Sequence, residues 1–185
     1  MVAGRLKIVA TTLGIGFLGL LFAVAVIMFW GERAHKLPGE RGGGICSDVP
    51  QFSEYPAVPL RAIATSSTLD FSLFPKAENF KTAIAEWFAE GPQSGRYYTV
   101  AEWGCGSGCQ AHAIVDMRNG KITGYGLLGT DGTMYRPDSN LIIINPPWNI
   151  EASIMRPATV TSEFYELKDG VPVLICKKPY PPIHQ

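Results

Sequence analysis

From Ile8 to Trp30 the chain carries no charged residue and is dominated by Leu, Ile, Val, Phe, Ala and Gly. A stretch of that length, taken as a helix, spans the ~30 Å hydrocarbon core of a bilayer. Residues 1–30 are therefore expected to be a transmembrane anchor or an uncleaved signal. The competing reading is a cleaved signal peptide, whose apolar region is about 7–15 residues and ends in a small-x-small site. Ala23-Val24-Ala25 has that form, but Val26-Ile27-Met28-Phe29-Trp30 follows, so cleavage would leave an apolar N-terminus. Arg5 and Lys7 flank one end and Arg33, Lys36 and Arg41 the other. These basic flanks nearly tie, and the short basic tail favours an N-terminus inside and the remainder outside.

The pattern changes beyond Trp30. Residues 31–59 read as a linker and extended lead-in, with the Gly42-Gly43-Gly44 run followed by Pro50, Pro56 and Pro59. Such a segment has few apolar side chains to offset the entropy of ordering. Lys76 to Glu90 is the clear soluble helix: Phe80, Ala83, Ile84, Trp87 and Phe88 fall on one face, and Gly91-Pro92 stops it. Alternation of the sheet kind follows. Arg96–Trp103, Ala111–Met117 and Lys121–Leu128 read as strands, the latter two joined at Asn119-Gly120, where both central turn positions are expected at positive φ. Gly129 to Asn140 reads as a polar loop. Leu141–Ile144 reads as a central strand, ended by Asn145-Pro146-Pro147-Trp148. Thr159–Leu167 and Val171–Cys176 form a last hairpin around Asp169-Gly170, and Pro179-Tyr180-Pro181-Pro182 is expected to end it. The predicted fold is α+β: after the N-terminal transmembrane helix, residues 60–185 form a domain with one helix packed on a mostly antiparallel five- or six-stranded sheet.

Composition narrows the function. Lys and Arg number 16, as do Asp and Glu, so no basic excess points to nucleic acid. Gly14-Ile15-Gly16-Phe17-Leu18-Gly19 matches a dinucleotide fingerprint by letter only. It sits inside the apolar span, without a preceding strand or a later acidic ribose ligand, and no cofactor is expected.

The candidate chemistry lies in Trp103-Gly104-Cys105-Gly106-Ser107-Gly108-Cys109-Gln110, a glycine-rich turn with two of the chain's 4 cysteines. An even cysteine count, entirely beyond the apolar span, fits an oxidising compartment. Of the three possible connectivities, Cys105–Cys109 with Cys46–Cys176 is favoured. The first closes a flexible turn, and the second ties the lead-in to the last strand. Two rivals exist. Cys105, Cys109 and His112 supply three zinc-type ligands, but strand alternation puts Cys109 with Ala111, Ala113 and Val115 on one face and Gln110, His112, Ile114 and Asp116 on the other. That separation, with no fourth ligand evident, argues against a metal. Thiol catalysis would pair Cys105 with His112, or with His184, over a glycine loop offering backbone N–H groups. Nothing else in the chain fixes a base or an orienting acid.

The face carrying Gln110, His112 and Asp116 is expected to point outward, as a solvated strand face or as a binding surface, and Trp148 after the double proline is either an exposed recognition aromatic or a cap on one end of the core. Trp87 and Trp103 are expected in the core.

The Trp-Gly-Cys-Gly-x-Gly-Cys-Gln core, the apolar strand ending in Asp116, the Asn119-Gly120-Lys121 turn and Pro137-Asp138-Ser139-Asn140-Leu141 resemble a family of small uncharacterised bacterial envelope proteins. The resemblance covers about Arg96 to Pro147 and carries no established activity. Members of that family typically have a short exported lead, from which this chain departs in its long N-terminal span. With that span read as an anchor, the expectation is a bacterial inner-membrane protein, single-pass through residues 8–30, with its C-terminal domain in the periplasm. Such a domain, stapled by disulfides and lacking a complete catalytic constellation, is expected to bind another envelope protein or a ligand as an inhibitor, immunity or assembly factor. The alternatives are a thiol-dependent hydrolase or transferase using Cys105 and His112, and a lipid- or wall-associated structural protein.

Overall fold

The computed structural model describes residues 43–57, 66–152 and 158–183. The anchor expected over 8–30, the linker up to residue 42 and His184 lie outside the described residues. No helix among those described is long and apolar enough to cross a membrane.

The strands are β1 (Gly44–Ile45), β2 (Tyr98–Gly106), β3 (Cys109–Asp116), β4 (Lys121–Gly129), β5 (Thr133–Tyr135), β6 (Leu141–Ile144), β7 (Val160–Lys168) and β8 (Val171–Tyr180). The helices are α1 (Lys81–Ala89), entered through a 3₁₀ turn at Pro75–Phe80, and α2 (Pro147–Glu151). The architecture is α+β, as expected, but the single sheet is replaced by two. Among the described residues, one sheet has 5 strands in the order β1-β8-β7-β6-β5, and the other has 3 in the order β2-β3-β4. Only β1 and β8 run parallel; the other pairs are antiparallel.

The layers follow from alternation along each strand. One face of the three-stranded sheet carries Ala101, Ala113, Val115 and Ile122, buried with Ile84 of α1 and Ala77. The periodic helix face read from Phe80 to Phe88 thus meets the sheet, although Phe80 at its edge remains 37% exposed. The opposite face carries Tyr98, Val100, Ile114 and Leu127, packed against Ile142, Ile144 and Leu167 of the larger sheet. The far face of that larger sheet buries Leu141, Ile143, Phe164 and Cys176 under Cys46, Val49, Phe52 and Tyr55 of the lead-in. Because β6 is covered on both sides, all four of its side chains can be apolar.

Several boundaries differ from expectation. Gly129–Asn140 is not wholly loop, since β5 forms within it and pairs with β6. The residues counted as linker end earlier, because Gly44 and Ile45 pair with Cys176 and Lys177 of β8. β8 continues to Tyr180, with Pro172 opposite Leu167 and Pro179 opposite Thr161. Both prolines fall outside the short stretch where β1 covers β8, so their missing N–H groups cost no ladder bond on that side. The Asn119-Gly120 turn is also not the expected two-residue type. Gly120 alone of the pair has positive φ (74°), and the Asn119 and Gly120 N–H groups both donate to the Asp116 carbonyl, at 3.3 and 2.7 Å. A Cβ on Gly120 would lie 1.8 Å from the Thr68 carbonyl oxygen, so glycine is needed for space as well as conformation. At Asp169-Gly170 both residues do have positive φ, as a tight hairpin requires.

Candidate functional site: the stapled hairpin and the polar end of the inter-sheet core

The β2–β3 hairpin carries the motif singled out in the sequence. Its ladder pairs Glu102 with His112, Trp103 with Ala111 and Gly104 with Gln110, then shifts so that Gly106 faces Cys109. Cys105 occupies the bulge, and its sulfur is bonded to Cys109 with the Cα atoms 5.1 Å apart. Residues 104–108 are all exposed, whereas Cys109 and Gln110 are half-buried. The tip stands clear of the molecule: a Cβ built on Gly104, Gly106 or Gly108 would meet nothing within 4 Å.

The second disulfide, Cys46–Cys176, has the opposite setting. It lies in the apolar layer between the lead-in and the larger sheet, with Cys176 buried beside Phe164. All four cysteines are among the described residues and none is free.

Below the tip the polar side chains interlock. Gln110 Nε2 donates to Glu102 Oε1 (2.9 Å), and Gln110 Oε1 accepts from the Gly132 N–H (3.0 Å). His112 Nδ1 lies 3.0 Å from the Leu127 carbonyl oxygen. A carbonyl only accepts, so this nitrogen carries the proton. His112 Nε2 faces Glu102 Oε2 at 3.1 Å and Thr133 Oγ1 at 2.6 Å. The expectation that Gln110, His112 and Asp116 form an outward face is therefore corrected. The second sheet covers that side of β3: His112 is fully buried, and Asp116 is 3% exposed.

Asp116 is part of a separate structural pair. Its carboxylate accepts from Arg118 Nε (2.8 Å), Nη2 (2.7 Å) and the Arg118 backbone N–H (3.0 Å), and Arg118 Nη2 also donates to the Tyr98 hydroxyl at 3.0 Å. The Asp116 hydrogen bonds hold the Arg118 pKa above its usual value. Burial pushes the Tyr98 phenol up from the ordinary tyrosine range.

One organising residue, Asn145, was not legible as such. It ends β6 with φ 53°, and its Oδ1 accepts from the Thr130 and Asp131 N–H groups at 2.7 and 2.9 Å. Its Nδ2 donates to the Thr161 carbonyl (3.0 Å), while Ser162 Oγ donates to the Asn145 backbone carbonyl. Asparagine before Pro146-Pro147 signalled only a strand end. The hub role needs loop 130–132, β6 and β7 together. Asn149 Nδ2 then donates to the Asp131 carbonyl at 2.7 Å, joining α2 to the same loop. Trp148, beside Asn149, is 43% exposed. Trp87 and Trp103, expected in the core, are half-buried against cluster residues on the helix side, and Trp87 Nε1 donates to the Glu102 carbonyl at 2.8 Å.

The chemistry follows from this geometry. The Thr133, His112 and Glu102 side chains are near one another, but hydroxyl and carboxylate both approach Nε2, while Nδ1 is held by a backbone carbonyl. In an acyl-transfer triad the base has one nitrogen for the nucleophile and the other for the acid. Here the arrangement ties β2, β3, β4 and β5 together. No group of three or more metal-ligating side chains occurs among the described residues. Set against models of protein families, curated proteins and solved structures, the chain matches none.

Proposed function

We propose that the domain is a binding module of the cell envelope, held outside the cytoplasm by the apolar N-terminal segment, and that the Cys105–Cys109 hairpin tip is its contact surface for another protein. The observation that carries this reading is the tip itself: five consecutive exposed residues, 104–108, closed by a disulfide and fastened at their base. The fastening runs from Gln110 to Gly132, and from Asp131 to Asn149 beside exposed Trp148. A rigid exposed loop loses less conformational entropy on binding than a free one. Exposed Trp148, tied to the hairpin base through loop 130–132, supplies the kind of anchor that dominates protein contacts.

Magnitudes support a local role for this staple. Chain-entropy arguments give about 2 kcal/mol for a loop as short as the 4-residue separation of Cys105 and Cys109, against about 5 kcal/mol for the 130-residue separation of Cys46 and Cys176. The exposed disulfide thus does less for global stability and more for the shape of the tip. The oxidised cysteines agree with an extracytoplasmic setting, as do the apolar span and the resemblance to small bacterial envelope proteins.

Photo-crosslinking of the full chain in its own membrane tests the reading. Crosslinkers placed at Ser107 and Trp148 are expected to capture one common protein, and one at Thr82 on the exposed side of α1 is not. Equal capture from all three positions, or none from the first two, would refute the tip as contact surface.

A further inference from the structure

We propose that the Cys105–Cys109 disulfide is a thiol-exchange site that accepts electrons from an accessible dithiol on another protein. This goes beyond the binding reading, because it assigns chemistry to the staple and not only shape.

The contrast between the two disulfides carries the inference. Cys46–Cys176 lies in an apolar layer, with Cys176 buried and Cys46 half-buried against a cluster that includes Phe164, which restricts the approach of an attacking thiolate. Cys105 lies in the exposed run 104–108, and a Cβ built on Gly104 or Gly106 beside it would meet nothing within 4 Å. Exchange requires a thiolate to approach a disulfide sulfur, and access is one of the terms that sets its rate. Neither tip cysteine belongs to a core cluster.

Opening the bond is also a local event. Below the tip, the ladder from Gly104–Gln110 down to Tyr98–Asp116 has its own antiparallel pairing. The hydrogen bonds of Gln110 to Glu102 and Gly132, and those of His112 to Leu127, Glu102 and Thr133, clamp the same hairpin base. The tip can therefore be reduced and reoxidised while the two sheets remain assembled.

The step balances as follows. A partner thiolate attacks Sγ of Cys105, the more exposed residue of the pair; a mixed disulfide forms, the Cys105–Cys109 bond breaks, and Cys109 leaves as the thiolate. The partner's second thiol loses its proton and attacks the partner sulfur of the mixed disulfide, releasing Cys105. Two electrons and two protons pass to this chain, which becomes a dithiol, and the partner dithiol becomes a disulfide. From Glu102 to His112 the sequence contains no lysine or arginine to favour a departing thiolate. The tip is thereby expected to behave as a moderate oxidant, unlike sites whose reduced form is strongly stabilised.

Full-length oxidised protein is equilibrated anaerobically with graded ratios of reduced to oxidised glutathione, alkylated, and read by peptide mass spectrometry alongside circular dichroism. Cys105–Cys109 is expected to open at a ratio on the order of tenfold lower than Cys46–Cys176, with the spectrum unchanged. A reduced dithiol peptide added to the oxidised protein is expected to gain a disulfide as the tip loses one. In Cys109→Ser, Cys105 is expected to form a stable mixed disulfide with oxidised glutathione faster than Cys109 does in Cys105→Ser. Simultaneous opening of both disulfides, tip reduction only with loss of the folded spectrum, or no oxidation of the peptide would overturn the proposal. Equal reactivity of the two serine variants would overturn Cys105 as the attacked sulfur.

Discussion

His112 concentrates the residue-scale logic of the domain. Its ring is fully buried and meets a backbone carbonyl, a carboxylate and a hydroxyl from three other strands. His112→Ala leaves those groups facing a cavity, and a cost of about 2–4 kcal/mol is expected, read as a lowered denaturant midpoint. Tyr98 gives a pH signature. Burial raises its pKa, so the folded state holds the phenol proton more tightly than the unfolded chain does. The associated stability is fully present below the unfolded value, about 10, and is lost as pH rises through the higher folded value. Tyr98→Phe is therefore expected to flatten the alkaline fall in stability while losing the hydrogen bond from Arg118, measurable by denaturant titration on either side of that pH. At this scale the cysteine pairs and their spacing were legible in the sequence. The burial of His112 and Asp116 was not, because alternation reports which residues share a face and not what lies over that face. Ile114 between them was the available signal, since an apolar side chain on a supposedly solvated face points to a second layer.

Among the elements, the strands of the 98–128 region and the final hairpin form where the residue pattern put them, although the Asn119-Gly120 turn and the end of β8 differ from expectation. Their division into two sheets does not follow from that pattern, because it depends on contacts between segments distant in sequence, such as Pro56 with Ser139 and β1 with β8. Strand β5 is too short to have a period. Gly124 of β4 lies close to the facing sheet: a Cβ there would be 2.7 Å from Pro172 Cγ, and 3.0 Å from Cγ1 of its own sheet neighbour Ile114. Gly124→Ala is expected to force these layers apart at a cost of about 1–3 kcal/mol, with a lowered thermal midpoint as the readout. This position reads in the sequence as an ordinary glycine within a strand, and its meaning comes only from the proline facing it.

At the scale of the whole molecule the two disulfides divide their work. Cys46→Ser is expected to lower stability by about 5 kcal/mol and Cys105→Ser by about 2 kcal/mol, compared in unreduced denaturant melts of each full-length variant. Similar losses from both would show that the tip supports the global fold more than its exposure implies.

Strand β1 has one more consequence, and it is mechanical. Two residues of parallel pairing would peel from β8 under a modest pull on the preceding chain, but Cys46 follows at once and is bonded to Cys176. Tension applied from the N-terminal side therefore passes through a covalent shortcut to Cys176 and on into the end of β8, without extending the chain between the two cysteines. The 130-residue separation of these cysteines amounts to roughly 430–470 Å of hidden contour length. In a single-molecule stretching trace that length appears only after the sulfur bridge is cut, so a tether on the N-terminal side holds the domain as a closed ring.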